Sequence, residues 1–288
     1  MVNTTLQRFS VVTPNRNRLA SLQRVVPSWQ RCETVAEVVI VDFGSDRAIS
    51  LADFESPRKI RIVRVLNPDC WRIGLAINLG VDHSSTEVIC KLDSDMEIQE
   101  GAAFAASDVS STFYRGRAGT GVSNGQVLFN KQHWARVGGY NEWLSGYGYD
   151  DSDYYLRLRH SGVAERDIAP GSLREHTHDN QTRAATDLRA EFFTVTLPDA
   201  DSRLLYMFSR NTYLGMMRRW SAELRLPYRT TQVEDGIVAV ELERMSDEYR
   251  WADAQASLLA AVRISGTPQN VKLLNTVVAR YLSESGGL

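Results

Sequence analysis

Short apolar runs alternate with segments of helical spacing over the first ninety or so positions of the chain. Phe9-Ser10-Val11-Val12-Thr13 reads as a buried strand, and Leu19 to Val26 places apolar residues at helical intervals. Val38 to Val41 predicts a second, β-branched strand stopped by Asp42 and Gly44. Ile60 to Val65 predicts a third, followed by a loop at Asn67-Pro68 and a helix around Ile73 to His83, and Val88 to Leu92 a fourth that ends in Asp93. Strands separated by about one helix each predict an α/β fold with a doubly wound, mostly parallel sheet, whose ligands bind beyond the carboxyl ends of its strands. That rule singles out Thr13 to Arg18, Asp42 to Ser45 and Asp93 to Asp95, which are distant in sequence but each follow a strand directly.

The texture changes near residue 200. Leu204 to Phe208, Tyr213-Leu214, Met216-Met217 and Trp220 share one helical segment, and further helical stretches are predicted from Val238 to Val262 and from Val271 to Leu282. The expectation is a first domain of residues 1–195 with a helical C-terminal subdomain, residues 196–288, packed on it.

Composition narrows the partners. A formal net charge of -2 over 288 residues leaves no electrostatic footprint for nucleic acid. Cys32, Cys70 and Cys90 are odd in number and lack metal-ligand spacing, which fits reduced thiols in a cytoplasmic protein. The polar N-terminus and the lack of any run of about 18 apolar residues predict neither secretion nor membrane spanning. Met216-Met217-Arg218-Arg219-Trp220 has the mixed aromatic and basic character of an interfacial helix, and fits an ordinary core-facing helix too. Homodimerisation or peripheral membrane contact through the C-terminal helices therefore stays open.

Three segments offer chemistry. Asp93-Ser94-Asp95 stands at a strand end, where alternate side chains point the same way, so its carboxylates can share a hard divalent cation of the kind a diphosphate leaving group needs. A solvated acidic turn is the plain alternative. Gly146-Tyr147-Gly148-Tyr149-Asp150-Asp151-Ser152-Asp153 leads into the helical run Tyr154 to Leu158. Helix capping accounts for one or two of these aspartates but not for aromatic residues interleaved with glycines. Aromatic faces pack on sugar rings, glycines let a loop fold over a ligand, and a carboxylate can take a proton from a hydroxyl. Arg174-Glu175-His176-Thr177-His178-Asp179 holds two of the five histidines in a polar stretch, where alternation can direct one imidazole at a metal or leave both as ordinary loop residues. His83, His133 and His160 sit in helix-like patterns and need no special role.

Over roughly residues 8 to 185 these motifs resemble the GT-A fold glycosyltransferases, and within them the β-1,4-galactosyltransferase family and its bacterial relatives. Pro14-Asn15-Arg16-Asn17-Arg18 matches the family's Pro-x-Arg-Asn-Arg run, which implies that Pro14, Arg16 and Arg18, next to Thr13, grip the nucleotide. The resemblance implies that Asp42 reads a uracil, that Arg72 and Asn78 lie near the donor with one residue inserted between them, and that Asp93 and Ser94 contact the donor. Val137-Gly138-Gly139-Tyr140-Asn141-Glu142 and then Gly146 to Asp153 follow the family's later half. By position this implies Asp151 as the catalytic base, Asp150 as acceptor-binding, Tyr147 with Gly148 as sensing donor and acceptor, and Asp95 and Asp93 with His176 as metal ligands, His178 being the alternative to His176. Tyr149, Ser152 and Tyr147 replace a glycine, an aspartate and a tryptophan, so sugar preferences do not carry over.

The expected activity is transfer of a hexose or N-acetylhexosamine from a UDP-sugar to a glycan or glycoconjugate acceptor, with inversion, in bacterial glycan synthesis. Mn²⁺ is the favoured ion because it accepts carboxylate, phosphate and imidazole together, with Mg²⁺ second. Two alternatives use the same fold: a sugar nucleotidyltransferase, against which Thr13-Pro14-Asn15-Arg16 stands where a glycine-rich loop is usual, and a non-catalytic carbohydrate-binding protein.

Overall fold

A computed structural model describes residues 7–102, 108–117, 122–176, 199–234 and 236–264. Among these, a nine-stranded sheet forms the centre of the molecule. Its core is four parallel strands, β1 (Phe9–Asn15), β2 (Val35–Phe43), β3 (Ile60–Val65) and β4 (Val88–Lys91), arranged β3-β2-β1-β4. Each coincides with a β-branched run in the sequence, and the parallel registers pair Val12 with Val39 and Val39 with Arg61. The fold expectation of an α/β, mostly parallel sheet therefore holds.

Alternation along the strands supplies two hydrophobic layers. Val11, Val38 and Ile40 face α1 (Leu19–Arg31) through Leu22, Val25 and Trp29, while Val12, Val39 and Val41 face α2 (Ile73–Asp82). The second layer also receives α4 (Asp150–His160) through Tyr154, Tyr155 and Leu158. Helices on both faces are what make the sheet doubly wound.

Past β4 the sheet grows by the antiparallel pairing of β7 and β6 and then by a parallel edge strand. A short strand, β5 (Met96–Ile98), pairs separately with β9 (Leu173–Glu175). β6 (Thr112–Arg117) and β7 (Val122–Asn130) add to the main sheet, β7 pairing with β4, and the exposed β8 (Ala164–Asp167) closes that edge beside β6. A short α3 (Lys131–Arg136) follows β7, its start capped by the Asn130 side chain, which accepts from the Gln132 backbone N–H.

The C-terminal part departs from the helical expectation. α5 (Ala200–Met217) forms over most of the predicted segment but ends at an extended Arg218, short of Trp220, and Val238 does not open a helix. Instead β10 (Tyr228–Glu234) and β11 (Ile237–Leu242) form a hairpin at Gly236, whose φ is 83°, and β11 pairs in parallel with β3. The cause is tertiary: three of the four residues Ile237-Val238-Ala239-Val240 are β-branched, and the outer edge of β3 offers them a ladder. Helix resumes as α6 (Asp247–Ile264), packed on α5. The stretch from Val271 to Leu282 lies outside the described residues. No helix among the described residues is long and apolar enough to cross a membrane.

Close approach of α2 to the sheet depends on Gly80, where a Cβ would meet Val12 and Val41 side chains. Gly80→Val is expected to destabilise the protein by about 2–3 kcal/mol through overpacking, read as a lower denaturant midpoint with an unchanged slope.

Candidate active site

The carboxyl ends of β1 and β4 open into a cavity of about 420 Å³. Its walls include Pro14, Arg16 and Arg18 after β1, Asp93-Ser94-Asp95 after β4, and the loop Gly146 to Tyr149 that runs into α4. Asp95 and Asp151 therefore face one space despite the fifty-odd residues between them.

The loop before α4 folds as its sequence demands. Gly146 and Gly148 take φ values of 73° and 87°, the left-handed region that glycine adopts freely, and Tyr149 follows at 70°. Asp150 and Asp151 then occupy the first turn of α4. The partial positive charge of a helix N-terminus favours carboxylates there, so capping and chemistry share the same residues.

Burial sets the electrostatics. Asp150 is pushed up to about 8, first by burial and then by the charge of Asp151 beside it. Asp151 is raised as well: burial is the main cause, Asp93 adds to it, and Lys91 and Arg115 pull the other way. Burial and mutual repulsion thus push both members of the pair toward the protonated form, with Lys91 and Arg115 opposing that shift at Asp151. Oδ1 of Asp151 is buried with no hydrogen-bond partner among the described residues. Asp95 is raised to about 6 by burial, then by Asp93 and Glu175, against the opposing charge of Arg18.

The residue that organises these acids belongs to none of the three motifs. Lys91 is only 1% exposed and donates from Nζ to Asp93 Oδ1 at 2.8 Å and to the Gly125 carbonyl at 2.7 Å. Burial lowers its pKa, but Asp93, Asp151 and Asp150 raise it by more, so it stays charged. Gln126, fully buried on β7, donates to Asp93 Oδ2 at 2.6 Å and accepts from the Asp93 backbone N–H at 2.8 Å. Gly125 beside it has φ 107°, and a Cβ there would lie 3.0 Å from Asp151 Oδ2 and 3.4 Å from Asp93 Oδ2. A lysine inside an otherwise apolar strand was the available signal for Lys91; Gln126 and Gly125 carry no local one.

Other expected site residues lie elsewhere. Asp42 is buried below the crevice and accepts from the backbone N–H groups of Ser45 and Ile49 at 3.3 and 3.0 Å. Thr13 is buried on β1 and does not line the cavity. Arg72 is fully buried: it pairs with Asp69 at 2.8 Å, reaches Tyr249 Oη at 3.0 Å, and donates to the Glu142 and Trp143 carbonyls. Asn78 uses its whole amide inside the protein, accepting from Trp134 Nε1 and the Tyr140 N–H and donating to the Tyr140 carbonyl and Glu142. Both residues hold the 140–143 turn that leads into the glycine loop rather than lining the cavity, because that turn's backbone groups are buried and need partners.

His176 is also displaced from the cavity. Its backbone N–H donates to the Asp95 carbonyl at 2.9 Å, but its ring nitrogen Nε2 lies 3.1 Å from Glu97, and Glu175 is the residue of that strand that lines the cavity. Strand alternation explains the exchange, since neighbours on β9 and just beyond it point to opposite sides. His178 lies outside the described residues. No cluster of three or more His, Cys, Asp or Glu side chains at metal-holding spacing occurs among the described residues.

Comparison with known proteins agrees with this architecture. Residues 10–104 match the family described as glycosyl transferase family 2, and residues 106–179 match the N-terminal domain of galactosyltransferase. No curated protein sequence matches. Among solved structures, the catalytic domain of Drosophila β1,4-galactosyltransferase 7 in complex with xylobiose is 14% identical, with a TM-score of 0.54 over 85% of this chain and 98% of that one. A point mutant of the same Drosophila enzyme, in complex with manganese, UDP-Gal and xylobiose, is similar at 14% identity and TM-score 0.54, over 86% and 99% of the two chains.

Asn78→Ala is expected to lower unfolding free energy by about 2–4 kcal/mol, because it leaves the buried Glu142 and Trp134 groups short of partners. Denaturant titration checks this, and a loss under about 1 kcal/mol would contradict the buried network. The two adjoining family matches and the sheet topology together identify the chain as a glycosyltransferase of GT-A, galactosyltransferase-like fold.

Proposed function

We propose that this enzyme moves a hexose or N-acetylhexosamine from a UDP-sugar to an acceptor hydroxyl, with inversion at the anomeric carbon. The observation that carries the reading is Asp151 Oδ1, a buried and unpartnered carboxylate oxygen in a residue that lines the same cavity as Asp95 and the aromatic loop. A buried acceptor atom without a donor is costly, and an incoming hydroxyl would supply one.

In this reading Asp151 takes the acceptor hydroxyl's proton as its oxygen attacks the anomeric carbon. The bond from that carbon to the donor phosphate breaks, and the electron pair leaves with UDP. Asp150, which burial pushes toward the protonated form, would in that form donate a hydrogen bond to the acceptor. Arg16 and Arg18 line the cavity and offer positive charge to the diphosphate. The glycosyltransferase family matches and the UDP-Gal and manganese bound by the Drosophila relative support this class of donor.

The ion in this reading is a hard divalent cation, Mn²⁺ or Mg²⁺, for which Asp95 is the protein ligand at hand. Asp95 would hold it, since burial beside Asp93 and Glu175 raises its pKa and a cation would relieve that repulsion. Bound there, the ion would neutralise charge on the leaving diphosphate. Asp93 is already tied through both carboxylate oxygens to Lys91 and Gln126, so its part is to shape the site and contact the donor. His176 would need to exchange its Glu97 contact to join the ion.

Asp151→Asn is expected to lower turnover by about 10²- to 10⁴-fold while UDP-sugar still protects the protein against thermal unfolding; turnover like that of the wild type would exclude the assignment. The base works only when ionised, and its pKa is raised. Turnover should therefore fall as pH drops through a midpoint above the ordinary aspartate value of about 3.9. A profile still flat at pH about 4 would contradict a buried aspartate base.

A further inference from the structure

One end of the cavity is not acidic. Met207 and Phe208 of α5 line it together with Tyr147 and Tyr149, although α5 lies beyond the residues that either family match covers. Phe208 is 39% exposed and Tyr147 38%, so each turns part of a ring toward open space. Large apolar side chains left half-exposed inside a concave site, beside carboxylates, suit a ligand with both an apolar face and hydroxyls.

The placement of Phe208 is fixed on several sides. Its ring rests on Gly148, where a Cβ would lie 2.7 Å from Phe208 Cδ2, so glycine is what lets the helix approach the loop. Tyr149 meets the Phe208 ring edge-on at 6.3 Å between centroids and packs against Gly215, about two turns further along α5. Asn211, buried on the same helix, donates to the carbonyls of Ser145, Tyr147 and Gly148 at 3.1, 3.3 and 2.8 Å. Arg210 donates to the Ser145 carbonyl at 3.2 Å and to its hydroxyl, and lies 3.4 Å from Asp253 on α6. α5 and the loop that leads to Asp151 are therefore one rigid wall.

We infer that Phe208 is an acceptor-recognition residue: its ring, with Tyr147, receives the apolar face of an acceptor pyranose whose hydroxyl is thereby presented to Asp151. This rests on the transferase reading above and adds to it a determinant outside the matched segments. The acceptor class is a glycoside that exposes one axial-hydrogen face, such as a β-linked pyranoside.

The test uses the full chain with Mn²⁺, a panel of UDP-sugars, and xylobiose and methyl β-glucopyranoside as acceptor probes. Phe208→Ala is expected to raise acceptor KM by about fivefold or more while donor KM moves less than twofold, and Phe208→Tyr to restore the acceptor value. Phe208→Leu keeps bulk against Gly148 but offers no aromatic face, and its acceptor KM should stay high. An acceptor KM for Phe208→Ala within twofold of wild type, or full restoration by leucine, would overturn the inference and leave the functional reading intact. Hydrolysis of a UDP-sugar with transfer to neither probe would likewise remove this inference alone. Consumption of no nucleotide sugar by the wild type would remove both.

Discussion

A buried lysine holds the site together. Asp93, Asp150 and Asp151 converge in a partly dehydrated space, where like charges repel far more strongly than in water. Lys91, reaching in from β4, is the fixed positive charge among them, and its bonds to Asp93 and to the Gly125 carbonyl tie two neighbouring strands to one point. Burying a lysine is costly unless it is paired and fully bonded, and here the acids supply that pairing. Each side thus makes the burial of the other tolerable. The N-terminus of α4 adds its dipole from the far wall.

The same constraint explains why the surroundings are so closely packed. Gly125 has no room for a side chain between Asp93 and Asp151, Gln126 occupies the remaining oxygen of Asp93, and Asn78 and Arg72 fasten the turn behind the loop. A base that must meet a hydroxyl within hydrogen-bond reach gains from a rigid frame of this kind, because small misplacements forfeit much of the rate. The frame extends into the last third of the chain: Trp143 and Leu144 pack with Leu214, Trp220 and Tyr249, so α5 and α6 brace the loop from outside.

What the sequence made legible follows from how local each signal is. β1 to β4 announce themselves because parallel strands buried on both faces are continuous β-branched runs. β8, four mostly exposed residues, and β7, which opens with Val122-Ser123-Asn124-Gly125, have no such pattern, and β11 looked helical because the open edge of β3 is invisible from its own residues. The aspartates of the site were readable as short motifs at strand or helix ends. Lys91 was signalled only by its place in an apolar strand, while Gln126 reaches Asp93, and Phe208 the cavity, through the pairing of distant elements, so no spacing rule could gather them. Arg72 and Asn78 were placed near the donor by resemblance, and the structure puts them one layer back, where buried polar groups serve the backbone of the turn.

The division of labour between the two ends of the cavity follows from solvation. The end with Arg16, Arg18 and Asp95 is charged, and a nucleoside diphosphate brings charge of its own together with any cation it carries, so little desolvation is left uncompensated there. The end with Tyr147 and Phe208 is apolar and half-exposed, and a neutral sugar ring can cover it at small polar cost. Asp150 and Asp151 line the same cavity, the first pushed toward the protonated form by its own burial and then by its neighbour's charge, the second drawn the other way by Lys91 and Arg115. In the proposed reaction a charged donor and a neutral acceptor would thus favour different parts of the lining, and the reacting atoms would meet where the carboxylates are.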